Sequence, residues 1–317
     1  MRHLLCGLIC LLCLLPASGL GENPFAVEAE EPDKLILSDS GFLPEGDLRD
    51  EYIWQDEENG LWQYVTKSLF IRVTRKQDDT PLTWFETEVR ASAQSPLNTY
   101  VTEGSTPGRR LVNPLGFARQ NHVVLAITDD FSGYRIQKKQ KTGVVVRDGV
   151  ILGETTRKST GNRGWPNLDT LAVFEDGGMK ANLCDAYTAQ EYLEQGARSV
   201  FAFGPILVAD GELGEDIKDE DYYPYREPRM AIGMIEPYHY IILTVVGRED
   251  ESGGARLPWV AQKMIELGVV EAVNLDGGGT AALMFMGEVL NRSSRNLRSV
   301  NSLIGFGQSA QIQTGTP

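Results

Sequence analysis

The chain is poor in cysteine, in histidine and in positive charge. Four cysteines occur in 317 residues, and three of them, Cys6, Cys10 and Cys13, fall within the first apolar run. Beyond that run only Cys184 remains, which excludes a disulfide-framed small ectodomain. Cys184 is expected as a small buried hydrophobe rather than a nucleophile. Three histidines leave little material for a histidine-rich metal site, and His122 and His239 are both expected to be structural. Lys and Arg total 30 against 44 Asp and Glu, a net charge of −14, which argues against nucleic acid as a partner. An anionic substrate is still compatible with that balance, because a few placed arginines can act inside an acidic shell. Repeats and low-complexity tracts are absent, and 42% hydrophobic with 23% charged residues is an ordinary globular composition.

Long hydrophobic runs are confined to the start. Leu4 to Leu15 is almost wholly apolar behind Met1-Arg2-His3, and Pro16-Ala17-Ser18-Gly19 follows with small residues. This layout predicts a signal peptide over residues 1–19, and the run falls short of the roughly 20 apolar residues that a membrane span needs. Removal of Arg2 would take the charge to −15. Export to a bacterial cell envelope or medium is expected, with no stable membrane insertion after cleavage. The cysteine usage suits a Gram-positive or anaerobic bacterium, so the sequon Asn291-Arg292-Ser293 is set aside.

Residues 20–60 are acidic, with Glu28-Ala29-Glu30-Glu31-Pro32-Asp33 and Asp56-Glu57-Glu58-Asn59-Gly60, and are expected as a solvated linker. Residues 61–111 are expected as a β segment packing on the core. It contains the strands Ser68–Val73 and Leu82–Val89, with a turn at Asp78-Asp79-Thr80-Pro81. Residues 112–317 are expected as the catalytic domain. There, His122–Ile127 and Tyr240–Val246 read as buried strands. Val144–Leu152 reads as a hairpin turning at Asp148-Gly149, and Phe201–Leu213 as one turning at Asp210-Gly211. Thr188-Ala189-Gln190-Glu191 has capping-box spacing for a short helix. Pro258–Leu267 carries an apolar stripe between a starting Pro and the terminal Gly268. Many strands with few helices predict an α+β fold of mixed or antiparallel sheets with a few packed helices.

The strongest local feature is Asn274-Leu275-Asp276-Gly277-Gly278-Gly279-Thr280, a strand end running into an acid, three glycines and a hydroxyl. Three residues without Cβ allow close approach of backbone, and successive amides in such a turn can form an anion nest. No Lys follows the glycines, so a nucleotide P-loop is excluded. Ala281–Met286 reads as strand rather than helix, so the dinucleotide fingerprint fails as well. A tight strand–strand corner explains the same residues equally well on chemistry alone.

Other segments occur in a fixed order around it. They are Phe203-Gly204-Pro205-Ile206-Leu207-Val208, Pro228-Arg229-Met230-Ala231-Ile232-Gly233, Val246-Gly247-Arg248, Ser252-Gly253-Gly254-Ala255, then Asn274–Met284, Asn291 and Arg298. Together these resemble the phosphodiester glycosidase family over roughly Val112 to Gly307. Two positions depart from the family pattern. Thr128-Asp129-Asp130 stands where an Asn-containing segment is usual, and Thr280 stands where Ser is usual.

The resemblance implies hydrolysis of a sugar-1-phosphodiester, with a glycan, glycolipid or teichoic-type phosphodiester as substrate. It implies Arg229 and Arg248 on the phosphate, helped by the amides of Gly277, Gly278, Gly279 and Thr280. Ser252, Asn274 and Arg298 join them as substrate-side residues. Asp276 is the first candidate for the working carboxylate, with Asp129 or Asp130 as partner. No cofactor is expected as obligatory, although the three aspartates would suit a divalent cation. Two alternatives stay open: a phosphodiesterase or phosphatase cutting the P–O bond, and a non-catalytic envelope protein binding glycan phosphates.

Overall fold

The computed structural model describes residues 31–103, 108, 110–130, 143–154, 167–219, 223–250, 252–292 and 297–314. The expected leader, residues 20–30 and Ser293 of the sequon lie outside these residues. Three sheets dominate, and every strand pairing among the described residues is antiparallel. The α+β expectation therefore takes its antiparallel form.

The nine-stranded sheet runs in the order Tyr52–Asp56, Leu61–Val65, Phe70–Gln77, Thr83–Arg90, His239–Val245, Arg229–Glu236, Glu271–Asn274, Ile206–Ala209 and Glu212–Leu213. A second sheet of five strands centres on Ala197–Phe203, flanked by Asp169–Phe174 and Val144–Arg147. A third, also of five, centres on Val123–Thr128, flanked by Leu283–Phe285 and Ser302–Gln308.

Side chains alternate across each strand, so the same strand supplies two cores. Ile232, Ile242 and Val273 of the nine-stranded sheet meet Leu171 and Phe201 of the second sheet and Leu125, Phe285 and Ile304 of the third. Their neighbours Ala231, Leu243 and Ala272 point to the opposite face, where Val260, Ala261 and Met264 of the helix Leu257–Glu266 cover them. Burial on both faces explains why Tyr240–Val245 reads as a continuous apolar run rather than an alternation. Each fully buried aliphatic side chain contributes about 1.5–3 kcal/mol. Smaller helices cover the other sheets. Ala189–Glu194, started by the Thr188–Glu191 capping box, packs on the second, and Pro114–Gln120, capped by Asn113, packs on the third.

The turn at Asp148-Gly149 forms as expected, with φ of 47° and 79°. At Asp210-Gly211 the turn also forms, with φ of 51° and 80°. The expected hairpin before it is divided, however. Phe203 ends a strand of the second sheet and Ile206 begins one of the nine-stranded sheet, because Gly204-Pro205 turns the chain from one sheet to the other.

The linker expectation for residues 20–60 is corrected from Leu35 onward. Leu35, Leu43 and Tyr52 bury against Val65 and Phe70, and Tyr52–Asp56 is the edge strand of the nine-stranded sheet. The acidic Asp56–Gly60 stretch is the hairpin turn, in which the Asp56 carboxylate accepts from the Asn59 amide. Acidic residues here belong to a turn, and the apolar residues between them set the structure. Residues 61–101 are likewise integral rather than appended, since Thr83–Arg90 pairs along its whole length with His239–Val245. Among the described residues no helix is long and apolar enough to cross a membrane.

Candidate active site

The glycine loop joins two sheets. Glu271–Asn274 lies in the nine-stranded sheet and Leu283–Phe285 in the third, so residues 275–282 pass between them. The loop is fastened from several sides. Asp276 N–H donates to the Asp129 carbonyl at 3.1 Å, and Gly278 N–H to the Pro228 carbonyl at 2.8 Å. The Thr128 hydroxyl donates to the Thr280 carbonyl at 2.8 Å and accepts from Ala282 N–H at 3.1 Å. The departure at Thr128 is thus a buried clamp under the loop.

Each glycine has its own steric reason. A Cβ at Gly277 would stand 2.6 Å from the Pro228 carbonyl oxygen. One at Gly278, where φ is +56°, would stand 3.3 Å from Nη2 of Arg248. One at Gly279 would stand 3.0 Å from Nη2 of Arg298. The bare backbone lets two arginines lie against it.

The expected cradle of four amides is reduced to two. Gly278 N–H is bonded to Pro228, and Thr280 N–H closes a turn onto the Gly277 carbonyl at 3.0 Å. Among the described residues the amides of Gly277 and Gly279 have no partner.

The arginines differ in what they have left to offer. Arg229 is 5% exposed and lies under the Tyr223 ring, with its guanidinium carbon 5.0 Å from the ring centroid. Its Nε donates to the Ala255 carbonyl at 3.0 Å and Nη2 to the Tyr225 carbonyl at 2.8 Å, which leaves Nη1 without a partner among the described residues. Burial brings its pKa down to about 10, still charged at neutral pH. Arg248 is more open. Its Nε pairs with Glu227 at 2.6 Å, an interaction that holds it above the usual arginine range, and φ at Arg248 is 63°. A non-glycine residue in that left-handed region is uncommon outside functional or strained sites. Arg298 donates from Nη1 to the Thr280 hydroxyl at 3.2 Å.

Sequence reasoning missed Arg292. Its Nη1 donates to the carbonyls of Gly278 and Gly279 at 3.2 and 2.8 Å, which ties the loop's acceptors to one side. Burial lowers its pKa, and the neighbouring charges of Arg298 and Arg248 add to that effect. Its only sequence signal was adjacency to Asn291, which itself bonds Leu283 N–H and the Ala281 carbonyl.

Asp276 is the carboxylate of this cluster. Burial pushes its pKa up to about 7, against the lowering effects of the Thr280 hydroxyl and Arg298, and Asp130 and Asp129 raise it further. Asp129 and Asp130 are close by and fully buried, and both are ion-paired to Nη2 of Arg147, at 3.0 and 2.9 Å. Ser302 donates its hydroxyl to Asp129, and Ala202 N–H donates to Asp130 at 2.9 Å. Arg147 was also missed. It is buried on the Phe201 ring and bonds the Val200 carbonyl at 2.6 Å. Burial works against its charge, but Asp130 and Asp129 outweigh this and hold it above its usual range. A lone Arg after Val144-Val145-Val146 was the one visible hint.

Two expected substrate-side residues serve the frame instead. Ser252 donates to the Val246 carbonyl at 2.6 Å and accepts from Thr83 N–H at 3.0 Å, which shapes the Arg248 loop from within. Asn274 locks the Gly204-Pro205 corner through its side-chain amide, 3.0 Å from the Gly204 carbonyl. His239 pairs with Glu88 at 2.9 Å, and Cys184 is buried. Among the described residues no group of three His, Cys, Asp or Glu is arranged to hold a metal ion.

Comparison with known proteins follows the same residues. The family model for phosphodiester glycosidases matches residues 121–307. An uncharacterized SPbeta prophage-derived protein, YomE of Bacillus subtilis (strain 168), is 27% identical over 241 residues, which cover 76% of this chain and 35% of that protein. The chain therefore spans about a third of that relative's length. Among solved structures, the catalytic domain of zebrafish N-acetylglucosamine-1-phosphodiester alpha-N-acetylglucosaminidase, auto-inhibited by its pro-peptide, superposes with a TM-score of 0.56 at 17% identity. The match covers 82% of this chain and 89% of that one. A hypothetical protein from Synechocystis superposes with a TM-score of 0.57 at 15% identity, covering 76% of this chain and 62% of that one. At these identities the two structures share the fold.

Proposed function

The chain belongs to the phosphodiester glycosidase family, and on that premise we propose that it hydrolyses a sugar-1-phosphodiester at the glycosidic carbon. The observation that carries this reading is the placement of Arg248 and Arg298 against a side-chain-free loop that also bears Asp276, with the guanidinium of Arg229 close enough to Arg248 to feel its charge. Guanidinium groups in a partly desolvated site grip phosphate oxygens through charge-assisted bonds. The amides of Gly277 and Gly279 add two donors, and the charge that develops on the departing phosphate is stabilised where it forms.

The bond that breaks joins the anomeric carbon to the phosphate oxygen. A water oxygen takes its place, and a phosphate monoester leaves. Phosphate is a good leaving group, so no strong general acid is required. Asp276 in its ionised form accepts the water proton, and a pKa near 7 suits a base at neutral pH. Asp129 and Asp130, held by Arg147, act as fixed anions that tune Asp276 rather than as a second reacting carboxylate. Inversion at the anomeric carbon follows from a single base and an attacking water. The apolar run behind Arg2 supports export, which would bring the chain to phosphodiester-bearing glycans of a cell envelope.

The test is a comparison of two substrates. A nitrophenyl sugar phosphodiester should release reducing sugar with the wild-type chain and not with Asp276→Asn. Bis-nitrophenyl phosphate, which has no glycosidic bond, should be left uncut by both. Cleavage of the second substrate alone would favour P–O chemistry.

A further inference from the structure

A second concave site lies at the start of the helix Leu257–Glu266 and is not used by the reaction above. Arg226, Arg256, Pro258 and Trp259 line a cavity of about 280 Å³. Its two arginines are exposed in a chain of net charge −14, and neither has a carboxylate partner among the described residues. Arg226 makes one long contact, Nη1 to the Gly254 carbonyl at 3.5 Å. Uncompensated neighbouring guanidinium groups on an acidic protein repel each other and gain most from a bound anion. Arg256 also begins the ten-residue helix Leu257–Glu266 and gives it no side-chain cap, so the positive helix end faces the same opening. Trp259 is partly exposed, and Trp84 fixes its ring edge-on at 5.4 Å between centroids. A rigid aromatic face beside two guanidinium groups fits a sugar or polyol unit flanked by phosphate.

The cavity adjoins the phosphate cradle. The bridge between Glu227 and Ala255 separates them. Arg226 reaches the Gly254 carbonyl next to this bridge, and Arg229 the carbonyl of Ala255 within it. Arg226 and Arg229 are three residues apart, which limits their Cα separation to about 10 Å.

We propose that this cavity is a second anion subsite that holds a neighbouring phosphate of a polymeric substrate, so that the chain acts on repeating phosphodiesters rather than on isolated ones. The choice of polymer rests on the glycosidase reading. The subsite itself rests on the cavity and its arginines. A ligand that spans both sites binds more tightly than either half, because the second contact is intramolecular.

The experiment measures calorimetric binding of a synthetic glycerol-phosphate tetramer and of glycerol phosphate methyl ester. Both probes lack a glycosidic bond, so neither is turned over. Wild-type chain should bind the tetramer at least about tenfold more tightly than the monomer, the scale expected for one further charge-assisted contact. The double variant Arg226→Gln with Arg256→Gln should lose that preference and bind the monomer as wild type does. Equal affinities of wild type for the two probes, or an unchanged preference in the variant, would overturn the subsite. So would equal weakening of both probes. Should sugar release fail while the preference and its loss in the variant are found, the reaction would be wrong and the subsite right.

Discussion

Nη1 of Arg298 lies 3.2 Å from the hydroxyl of Thr280, and that same hydroxyl holds down the pKa of the neighbouring Asp276 carboxyl against the effect of burial. On the proposed reaction, one side chain of the glycine motif thus links a phosphate-side cation to the sugar-side base. Removal of the hydroxyl by Thr280→Val takes away a lowering influence on Asp276. The acidic limb of the pH–rate profile should move to higher pH, and kcat/KM at neutral pH should fall about tenfold. Thr280→Ser should restore both. An unmoved profile in Thr280→Val would separate the hydroxyl from the base.

Asp276 also links stability to pH. Its folded pKa of about 7 lies above the unfolded value of 3.8, so the folded state holds the extra proton between those limits. This group's contribution is fully present below pH 3.8 and is lost as pH rises through 7, at up to about 1.4 kcal/mol per pH unit inside the window. Asp276→Asn removes the ionisation. The variant should melt higher than wild type at pH 8 and near it at pH 4, while sugar release disappears. A variant less stable at pH 8 would mean that the carboxylate is held by favourable partners rather than desolvated.

Gly279→Ala tests the close approach of backbone and guanidinium. The new Cβ would stand 3.0 Å from Nη2 of Arg298, the far end of a flexible side chain. The arginine should move rather than the fold, so KM for a phosphodiester should rise about tenfold with little change in Tm. A neutral nitrophenyl glycoside of the same sugar should be cut as well as before, and an equal loss on both would point to damage at the base.

Arg147→Met leaves Asp129 and Asp130 buried without their guanidinium. Removing one partner of such a buried group costs about 3–5 kcal/mol, read by urea unfolding at pH 7. Protonation of the orphaned carboxylates offsets the loss, so the deficit should shrink toward pH 4. A variant as stable as wild type at pH 7 would mean that the two aspartates do not depend on Arg147.

Much of this architecture was legible in the residues. The Asp148-Gly149 and Asp210-Gly211 turns, the Thr188 capping box and the helix between Pro258 and Gly268 follow from local chemistry, and they appear where that chemistry places them. The Asp276–Thr280 loop and the arginines after Pro228 and Gly247 were visible as motifs, because they occur in a fixed order along the chain and not because of the glycine run alone. The fate of hydrogen-bond donors was not legible. Whether Gly278 N–H faces a ligand or the Pro228 carbonyl depends on a strand more than forty residues away in sequence. Ser252 looked like a ligand and bonds backbone on both sides, since a serine after Arg248 reads the same in either role. Arg147 and Arg292 act through contacts of long sequence separation and carry no local signature. Acidic composition misled for residues 35–60, where a few buried apolar side chains outweigh many exposed acids.

The most direct measurement follows the oxygen of water. Hydrolysis of a sugar-1-phosphodiester in 18O-labelled water should place the label on the anomeric carbon of the released sugar, in the inverted anomer, and none on the phosphate monoester. Label on the phosphate would show that the P–O bond is cut and would contradict the account at its centre.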